Sequence, residues 1–269
     1  MYAGTGFDGN SFHNAGVYRD NLRASWPVNR GKVGKYYKSG WSAPVEDAMT
    51  KFPVLKRISR EKEYGAAGSR QGVIVIDGKL HESEWAGLDR KRAMLVDEVN
   101  STGLKTDVRM SAWLQYDTEN LYIGVESLPG KKEETAKGFS LLFHEIAVEG
   151  GMGTGTSWWQ EGVPTSPLYI FTGRVDGRFE VHNIFNAPAD VIKKFQTRIE
   201  YKSFVIDREI GHWTAEWKMP LALLGINPEK LDRTRFNIGT GGKDGWFSWV
   251  ATGSSGWRVD VAGVLKFVK

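Results

Sequence analysis

The sequence predicts an all-β chain, an antiparallel two-sheet β-sandwich of the jelly-roll kind with an irregular N-terminal extension. Many short segments after residue 70 alternate apolar with polar side chains, and turn residues such as Gly, Asn and Asp separate them, whereas helical periodicity is scarce. With 41% apolar and 25% charged residues, the composition is typical of a globular domain. No run approaches the roughly 20 apolar residues of a membrane span, so we expect none.

Residues 1–70 have a different texture, rich in Gly, Asn, Tyr and Lys and with little periodicity. One stretch, residues 44–60, has the pattern of a short helix interrupted at Pro53. We interpret residues 1–70 as an extension, a linker or the tail of an upstream domain, and residues 71–269 as the sandwich. The start of the chain lacks the basic and apolar regions of a secretory signal. We expect an extracellular or periplasmic protein whose signal was removed, or an excised segment of a longer chain.

The predicted strands follow in order along the second region. Residues 72–76 (GVIVI) are a β-branched run that ends at the turn Asp77-Gly78, which predicts a strand and a tight loop. Residues 106–115 and 121–126 alternate on either side of a polar turn, which predicts a hairpin. Further strands are predicted at 139–146, 168–172, 179–183, 199–206, 212–219, 235–239, 245–251 and 262–268, and short helices at 221–224 and 228–231.

The absence of cysteine and the charge balance exclude several classes of function. Without cysteine the chain has no disulfide scaffold, no thiolate metal site and no cysteine nucleophile. Its 36 basic and 32 acidic residues give a net charge of +4, and the excess is spread along the chain. We therefore expect no nucleic-acid binding, which uses concentrated basic patches.

Several segments resemble the family 9 carbohydrate-binding modules and their DOMON-like relatives. Residues 73–85 (VIVIDGKLHESEW) are similar to the opening of that family, residues 116–124 (YDTENLYIG) to the hairpin of its second and third strands, and residues 213–221 (WTAEWKMPL) to its C-terminal half. The similarity continues in order through RFNIG at residues 235–239 and FSW at residues 247–249. The resemblance implies a two-sheet β-sandwich that holds a sugar between aromatic rings and carries structural calcium.

The chain departs from the family pattern in two places. Residues 257–260 (WRVD) stand where many relatives have a His-Asp-Pro-like turn, and the Gly-rich insert at residues 149–167 has no counterpart that can be aligned. Contacts that the family makes through that turn are therefore not carried over to this chain.

Loop tryptophans are the candidate ligand-binding residues. A flat aromatic ring covers the apolar face of a pyranose, while polar side chains bond the hydroxyl groups around its rim. Trp158 and Trp159, with Gln160, follow a run of glycines in a predicted loop. Trp246 and Trp257 also neighbour glycine and charged residues. Packing in the core is the simpler interpretation for the tryptophans at strand or motif positions, namely Trp85, Trp113, Trp213, Trp217 and Trp249.

The predicted polar contacts are Arg235, Asn237 and Lys243, which lie close to Trp246 in the sequence. Guanidinium and ammonium groups are donors suited to the carboxylates of uronic acids as well as to hydroxyl groups. A mildly basic chain fits such an anionic polysaccharide.

Weak candidate metal ligands lie in the predicted turns, at Asp77, Glu82 and Asp117. Calcium takes six to eight oxygen ligands, and carboxylates in turns supply them. None of these residues belongs to a 12-residue calcium loop, so structural calcium follows from the resemblance alone, and no cofactor is established.

We expect non-catalytic binding of a polysaccharide or oligosaccharide, by an accessory module with a linked catalytic domain. The sequence has no HExxH motif, no GxSxG elbow and no phosphate loop. Three alternatives stay open: part of a glycoside hydrolase or polysaccharide lyase with its own site, a structural domain whose tryptophans only pack, and a haem-binding DOMON-like electron-transfer domain that uses His144 and Met152.

Overall fold

A computed structural model describes residues 62–69, 73–85, 88–128, 141–151, 155–156, 164–184, 187–230, 233–242, 245–253 and 262–268. Within these ranges the chain consists mostly of β-strands. The strands are β1 (Glu63–Gly68), β2 (Met94–Val99), β3 (Lys105–Tyr116), β4 (Asn120–Ser127), β5 (Phe143–Glu149), β6 (Gly155–Thr156), β7 (Pro164–Thr165), β8 (Leu168–Arg174), β9 (Phe179–Ile184), β10 (Glu200–Asp207), β11 (His212–Pro220), β12 (Arg233–Gly242), β13 (Gly245–Ser248) and β14 (Gly263–Val268). The helices are α1 (Ala189–Arg198) and α2 (Leu221–Leu224).

The hydrogen-bonded strand order is β10-β11-β4-β3-β1-β14-β12-β5-β8-β9, and β6 pairs only with β7. Strands β2 and β13 pair with each other and bridge β3 to β12, which closes a ring of six strands in the middle of this order. The two arms of the path face each other: β10, β11, β4 and β3 form the first sheet, and β12, β5, β8 and β9 form the second. The prediction of an all-β, two-sheet sandwich is confirmed.

Aromatic side chains fill the space between the two sheets. Trp217 of β11 is fully buried and contacts Phe171 of β8 and Phe179 of β9, on the opposite sheet. His144 of β5 is stacked on Trp213, with ring centroids 5.4 Å apart. The five tryptophans expected in the core, Trp85, Trp113, Trp213, Trp217 and Trp249, are all buried, so that interpretation is confirmed.

Strand β1 lies within the segment that the sequence assigns to the N-terminal extension. It runs parallel to β14 over Glu63–Ala67 and also pairs with the end of β3. Ala66 is fully buried as a result. The sandwich therefore includes residues before 71, although residues 1–61 lie outside the described part of the chain.

Several further elements differ from the sequence prediction. Of the helix predicted at residues 228–231, the described residues 228–230 form a turn. Residues 73–76 of the GVIVI run are extended but belong to no strand, because Ile74 packs inward while Val73 and Val75 stay exposed without a neighbouring strand. The sequence also gave no indication of β2 or of helix α1. Only Ile192 and Phe195 of α1 are buried, a stripe of two side chains one turn apart, too short for a periodicity argument.

Candidate functional site

Two of the segments that carry the family resemblance, residues 73–85 and 213–221, meet around one buried carboxylate. Glu216 of β11 accepts hydrogen bonds at one oxygen from the backbone N–H groups of Asp77 (2.9 Å) and Gly78 (2.8 Å). Its other oxygen accepts the indole N–H of Trp85 at 2.8 Å. Burial raises the pKa of Glu216, and the three hydrogen bonds oppose that rise. The carboxylate thus fastens the turn at Asp77 to the outer face of the first sheet.

That fastened segment seals the outer face of the first sheet. Ile74 and Trp85 pack with Trp113 of β3 and Tyr122 of β4 into a small second core. The indole N–H of Trp113 points at the carbonyl of Asp89, at 3.4 Å. Both indoles on this face are therefore buried and have polar partners, so they offer no surface to a ligand.

The outer face of the second sheet carries Trp246, a partly exposed tryptophan of β13. Its indole lies along β12, next to two glycines that face it across the strand pair. A Cβ atom at Gly239 would lie 2.9 Å from the indole Nε1, and one at Gly241 would lie 3.3 Å from the benzene ring. Only glycine leaves room for the ring at these positions. The alternating glycines of β12 thus hold a flat aromatic ring on the sheet.

Phe143 of β5 extends this aromatic surface. Its ring centroid is 5.6 Å from that of Trp246, with an angle of 46° between the planes. Phe143 is itself partly exposed. Two neighbouring, partly exposed rings can stack against the apolar face of a sugar. Farther along this outer face, Ala147, Leu168 and Ile170 form a small buried apolar cluster.

Polar groups lie beside the Trp246 ring. A shallow depression there is lined by Glu145, Asn237, Ser248 and the indole itself. The indole Nε1 is buried and has no hydrogen-bond partner among the described residues. A buried N–H group without an acceptor is energetically costly, and an oxygen that reached it would relieve that cost. Farther along the same face, Thr172 of β8 and His182 of β9 are hydrogen bonded at 2.8 Å.

The predicted polar contacts Asn237 and Arg235 lie on this face, but their side chains are occupied. The Asn237 amide donates to the carbonyl of Val250 at 2.9 Å, and its oxygen accepts from the backbone N–H of Val250 at 3.1 Å. The Arg235 guanidinium donates to the carbonyl of Ala262 at 3.1 Å. Both side chains hold neighbouring backbone in place, and their role as direct ligand contacts stays a prediction.

The remaining candidate residues, Trp158, Trp159, Gln160, Lys243 and Trp257, lie outside the described residues. In the sequence, the first three lie between β5 and β8, Lys243 lies between β12 and β13, and Trp257 lies between β13 and β14.

The weak metal candidates do not come together. Asp117 accepts two backbone N–H groups and the hydroxyl of Tyr122 at 2.8 Å, so it closes its own hairpin. Asp77 bonds the backbone N–H of Lys79, and Glu82 is exposed. In the described ranges no group of three or more His, Asp or Glu side chains could hold a metal ion. These residues do not fit the oxygen cage that calcium requires.

His144 does not fit a haem ligand either. Its ring is completely buried, and its Nε2 accepts a hydrogen bond from the indole of Trp217 at 2.7 Å. Burial lowers its pKa to about 3, so the imidazole is neutral. The nitrogen that would bind iron is occupied, inside the core between the sheets.

Sequence reasoning missed Phe143, Glu145 and the two glycines behind Trp246. Phe143 and Glu145 are one strand away from β12, and strand pairing is not visible in a single sequence. The glycines do have a sequence signal, because Gly239 ends a predicted strand, Gly241 follows it at alternating spacing, and Trp246 lies at the start of the next predicted strand.

Comparison with solved structures matches this fold to two family 9 carbohydrate-binding modules from Caldicellulosiruptor kristjanssonii. One is in complex with glucose (TM-score 0.51, 13% identity) and the other with cellotriose (TM-score 0.51, 12% identity). Each alignment covers 77% of this chain, and 96% and 93% of the respective modules. No protein-family model matches the chain, and no curated protein matches it either. The chain therefore has the fold of a family 9 carbohydrate-binding module.

The fold includes no membrane-spanning helix in the part of the chain that the structure describes. The longest helix there, α1, has 10 residues, half the length that a bilayer crossing needs.

Proposed function

We propose that this chain binds carbohydrate without catalysis, on the outer face of its second sheet. The observation that carries the proposal is the Trp246 indole, held flat by Gly239 and Gly241 and partly exposed beside polar side chains. Glucose and cellotriose, the ligands in the two similar modules, are pyranose sugars, and their axial C–H groups form an apolar face. Such a face packs on an indole while the hydroxyl groups bond at its edge.

The polar groups of the depression support binding of hydroxyl groups. The indole Nε1 supplies a donor, and the carboxylate of Glu145 supplies acceptors. Trp158, Trp159 and Trp257, which lie outside the described residues, would add aromatic rings, and Gln160 and Lys243 would add polar contacts. We include all five in the proposed site.

Binding fits the site better than hydrolysis of a glycosidic bond. Glycoside hydrolases of the common kinds use two carboxyl groups on opposite sides of the bond. Among the described residues that line the depression, Glu145 is the only carboxylic acid. We therefore propose an accessory module that concentrates a polysaccharide near a linked catalytic domain, in an extracellular or periplasmic protein.

The test is calorimetric titration with glucose, cello-oligosaccharides and a uronate oligosaccharide, using the wild-type chain and Trp246→Ala. We expect the substitution to weaken binding by about 2 kcal/mol, roughly thirtyfold, because a central stacking ring is lost. A matched control is Phe204→Ala, since Phe204 is an exposed aromatic side chain on the other sheet.

If the folded Trp246→Ala variant binds sugar with unchanged affinity, the binding site does not lie on this face. Weaker binding in Phe204→Ala would place it on the first sheet instead. If the folded wild-type chain binds none of these sugars nor larger plant or algal polysaccharides, the proposed function is wrong.

A further inference from the structure

Partly exposed side chains form a strip across the strands at one end of the outer face of the second sheet. The strip contains Trp246 of β13, Phe143 of β5 and Arg174 of β8. On the same face, four residues farther along β5 and β8, Ala147 and Ile170 are buried, with 2% and 0% of their surface exposed. A ligand on the strip can therefore extend across the strands, but not along β5 and β8 toward these two residues.

The strand register places the side chains of the strip in one row. Trp246 is paired with Gly241 of β12, and Phe143 is paired with Arg174. Gly241 joins the two pairs, because a Cβ atom there would lie 3.0 Å from the Phe143 ring and 3.3 Å from the Trp246 ring. Neighbouring strands of a sheet are about 4.7–4.9 Å apart. A pyranose unit advances an extended glycan chain by a similar distance, so successive sugar units match successive strands of the row.

An ion pair lies at the β8 end of the row. The Arg174 guanidinium donates to the Glu180 carboxylate of β9, with its Nη2 2.8 Å and its Nε 2.9 Å from Oε1. The two side chains are 28% and 48% exposed. Such a pair presents N–H donors beside carboxylate acceptors, and a sugar hydroxyl group can both donate and accept. β9 is the last strand of the sheet order, so no described strand closes the row at this end.

We propose that the site takes an extended glycan chain of at least three sugar units, which lies across the strands. This inference rests on the proposed function and adds a polar subsite to it. The Trp246 and Phe143 rings each stack against one unit, and the ion pair of Arg174 bonds hydroxyl groups of the third. The two ring planes differ by 46°, so they fit a single chain that twists between units better than the flat surface of a crystalline polysaccharide.

Calorimetric titration with cellobiose, cellotriose and cellotetraose measures the length of chain that the site holds. We expect affinity to rise about fivefold from cellobiose to cellotriose, because the third unit adds hydrogen bonds to charged groups, and to rise little beyond that. Arg174→Ala should remove this gain and leave the affinity for cellobiose unchanged. Arg90→Ala is the matched control, since Arg90 is also ion-paired with a glutamate, Glu126, but on the first sheet. It should bind all three sugars as the wild-type chain does.

Equal affinity of the wild-type chain for the three sugars overturns the inference. So does an Arg174→Ala variant whose affinity changes by the same factor for all three. Either result leaves the proposed function in place if Trp246→Ala still weakens binding. If the folded wild-type chain binds none of the three sugars, the inference is wrong, whereas Trp246-dependent binding of another sugar would still support the proposed function.

Discussion

The outer faces of the two sheets both carry tryptophan, but they use it differently. On the first sheet, Trp85 and Trp113 are buried beneath the segment that follows β1, and each indole N–H has an acceptor. On the second sheet, Trp246 is partly exposed, lies on glycines, and has an indole N–H without an acceptor in the described structure. Trp85 and Trp113 are thus enclosed and hydrogen bonded, whereas Trp246 keeps part of its ring exposed. The exposed ring distinguishes Trp246, because the indole N–H of the core residue Trp213 also has no acceptor in the described structure.

The difference follows from what faces each indole. Trp85 meets a carboxylate, Glu216, and a covering segment of the same chain. Trp246 lies against the backbone of β12 at Gly239 and Gly241 and beside Phe143, and its ring stays partly exposed. The composition, with 11 tryptophans, cannot distinguish the two uses, since both require the same residue type.

Removing the Glu216 carboxylate should have the largest effect, on the sealed face. Glu216→Ala leaves the N–H groups of Gly78 and Trp85 buried without acceptors and removes one of the two acceptors of the Asp77 N–H group, which we expect to cost about 3–5 kcal/mol of unfolding free energy. Urea denaturation measures this loss. Glu200→Ala, which removes an exposed ion pair with Lys218, is the control and should change stability by less than about 1 kcal/mol. Similar losses in both variants would show that Glu216 does not fasten the segment.

Acid should destabilise the core between the two faces through His144. Burial holds its pKa at about 3, below the ordinary value of 6.5, so the unfolded chain binds a proton that the folded chain does not. This contribution to stability is complete above pH 6.5 and is lost as pH falls toward 3. Between pH 7.5 and 5 we expect a loss of about 2 kcal/mol.

His144→Gln isolates this contribution, because its amide oxygen can still accept the Trp217 indole N–H but does not titrate. Thermal unfolding of both proteins across this pH range makes the comparison. Equal pH dependence would mean that His144 is protonated as readily in the folded chain as in the unfolded one.

A methyl group behind Trp246 should disturb the open face with a smaller cost. Gly239→Ala would place a Cβ 2.6 Å from the Phe247 carbonyl oxygen and 2.9 Å from the indole nitrogen. The strands must shift, which we expect to cost about 1–2 kcal/mol of stability and to weaken sugar binding. Denaturation and calorimetric titration measure the two effects. Gly68→Ala, with its nearest neighbour atom 3.8 Å away, is the tolerated control.

Much of the fold could be predicted because it depends on local patterns. The hairpin of β3 and β4 shows clear alternation around Asp117, and that carboxylate does cap the turn. The strand predicted at residues 72–76 was wrong for residues 73–76, because a β-branched run indicates extended backbone but does not show whether a partner strand is available. Strand β1 was missed for the opposite reason, because partner strands are available where the sequence does not indicate a strand. Its sequence, EYGAAG, is poor in strand-forming residues, and its pairing with β14 and β3 makes it a strand.

The candidate site was only partly predictable from the sequence. Trp246 stood out because glycine and charged neighbours marked a turn. The hydrogen bonds between the Asn237 side chain and the backbone of Val250 could not be predicted, because a side-chain amide beside a loop can bond a ligand or the backbone equally well. Glu145 reaches the depression only through the pairing of β5 with β12, which depends on the tertiary fold.

The position of β1 determines how the module responds to mechanical force. β1 and β14 are parallel neighbours, so a pull between the residue before Glu63 and the end of β14 drags the two strands past each other lengthwise. Their hydrogen bonds then carry the load together and must break at once, rather than one by one as in unzipping. If the chain were held at these two ends while it was bound to a stiff surface that moves, the β1–β14 pair would resist the pulling force.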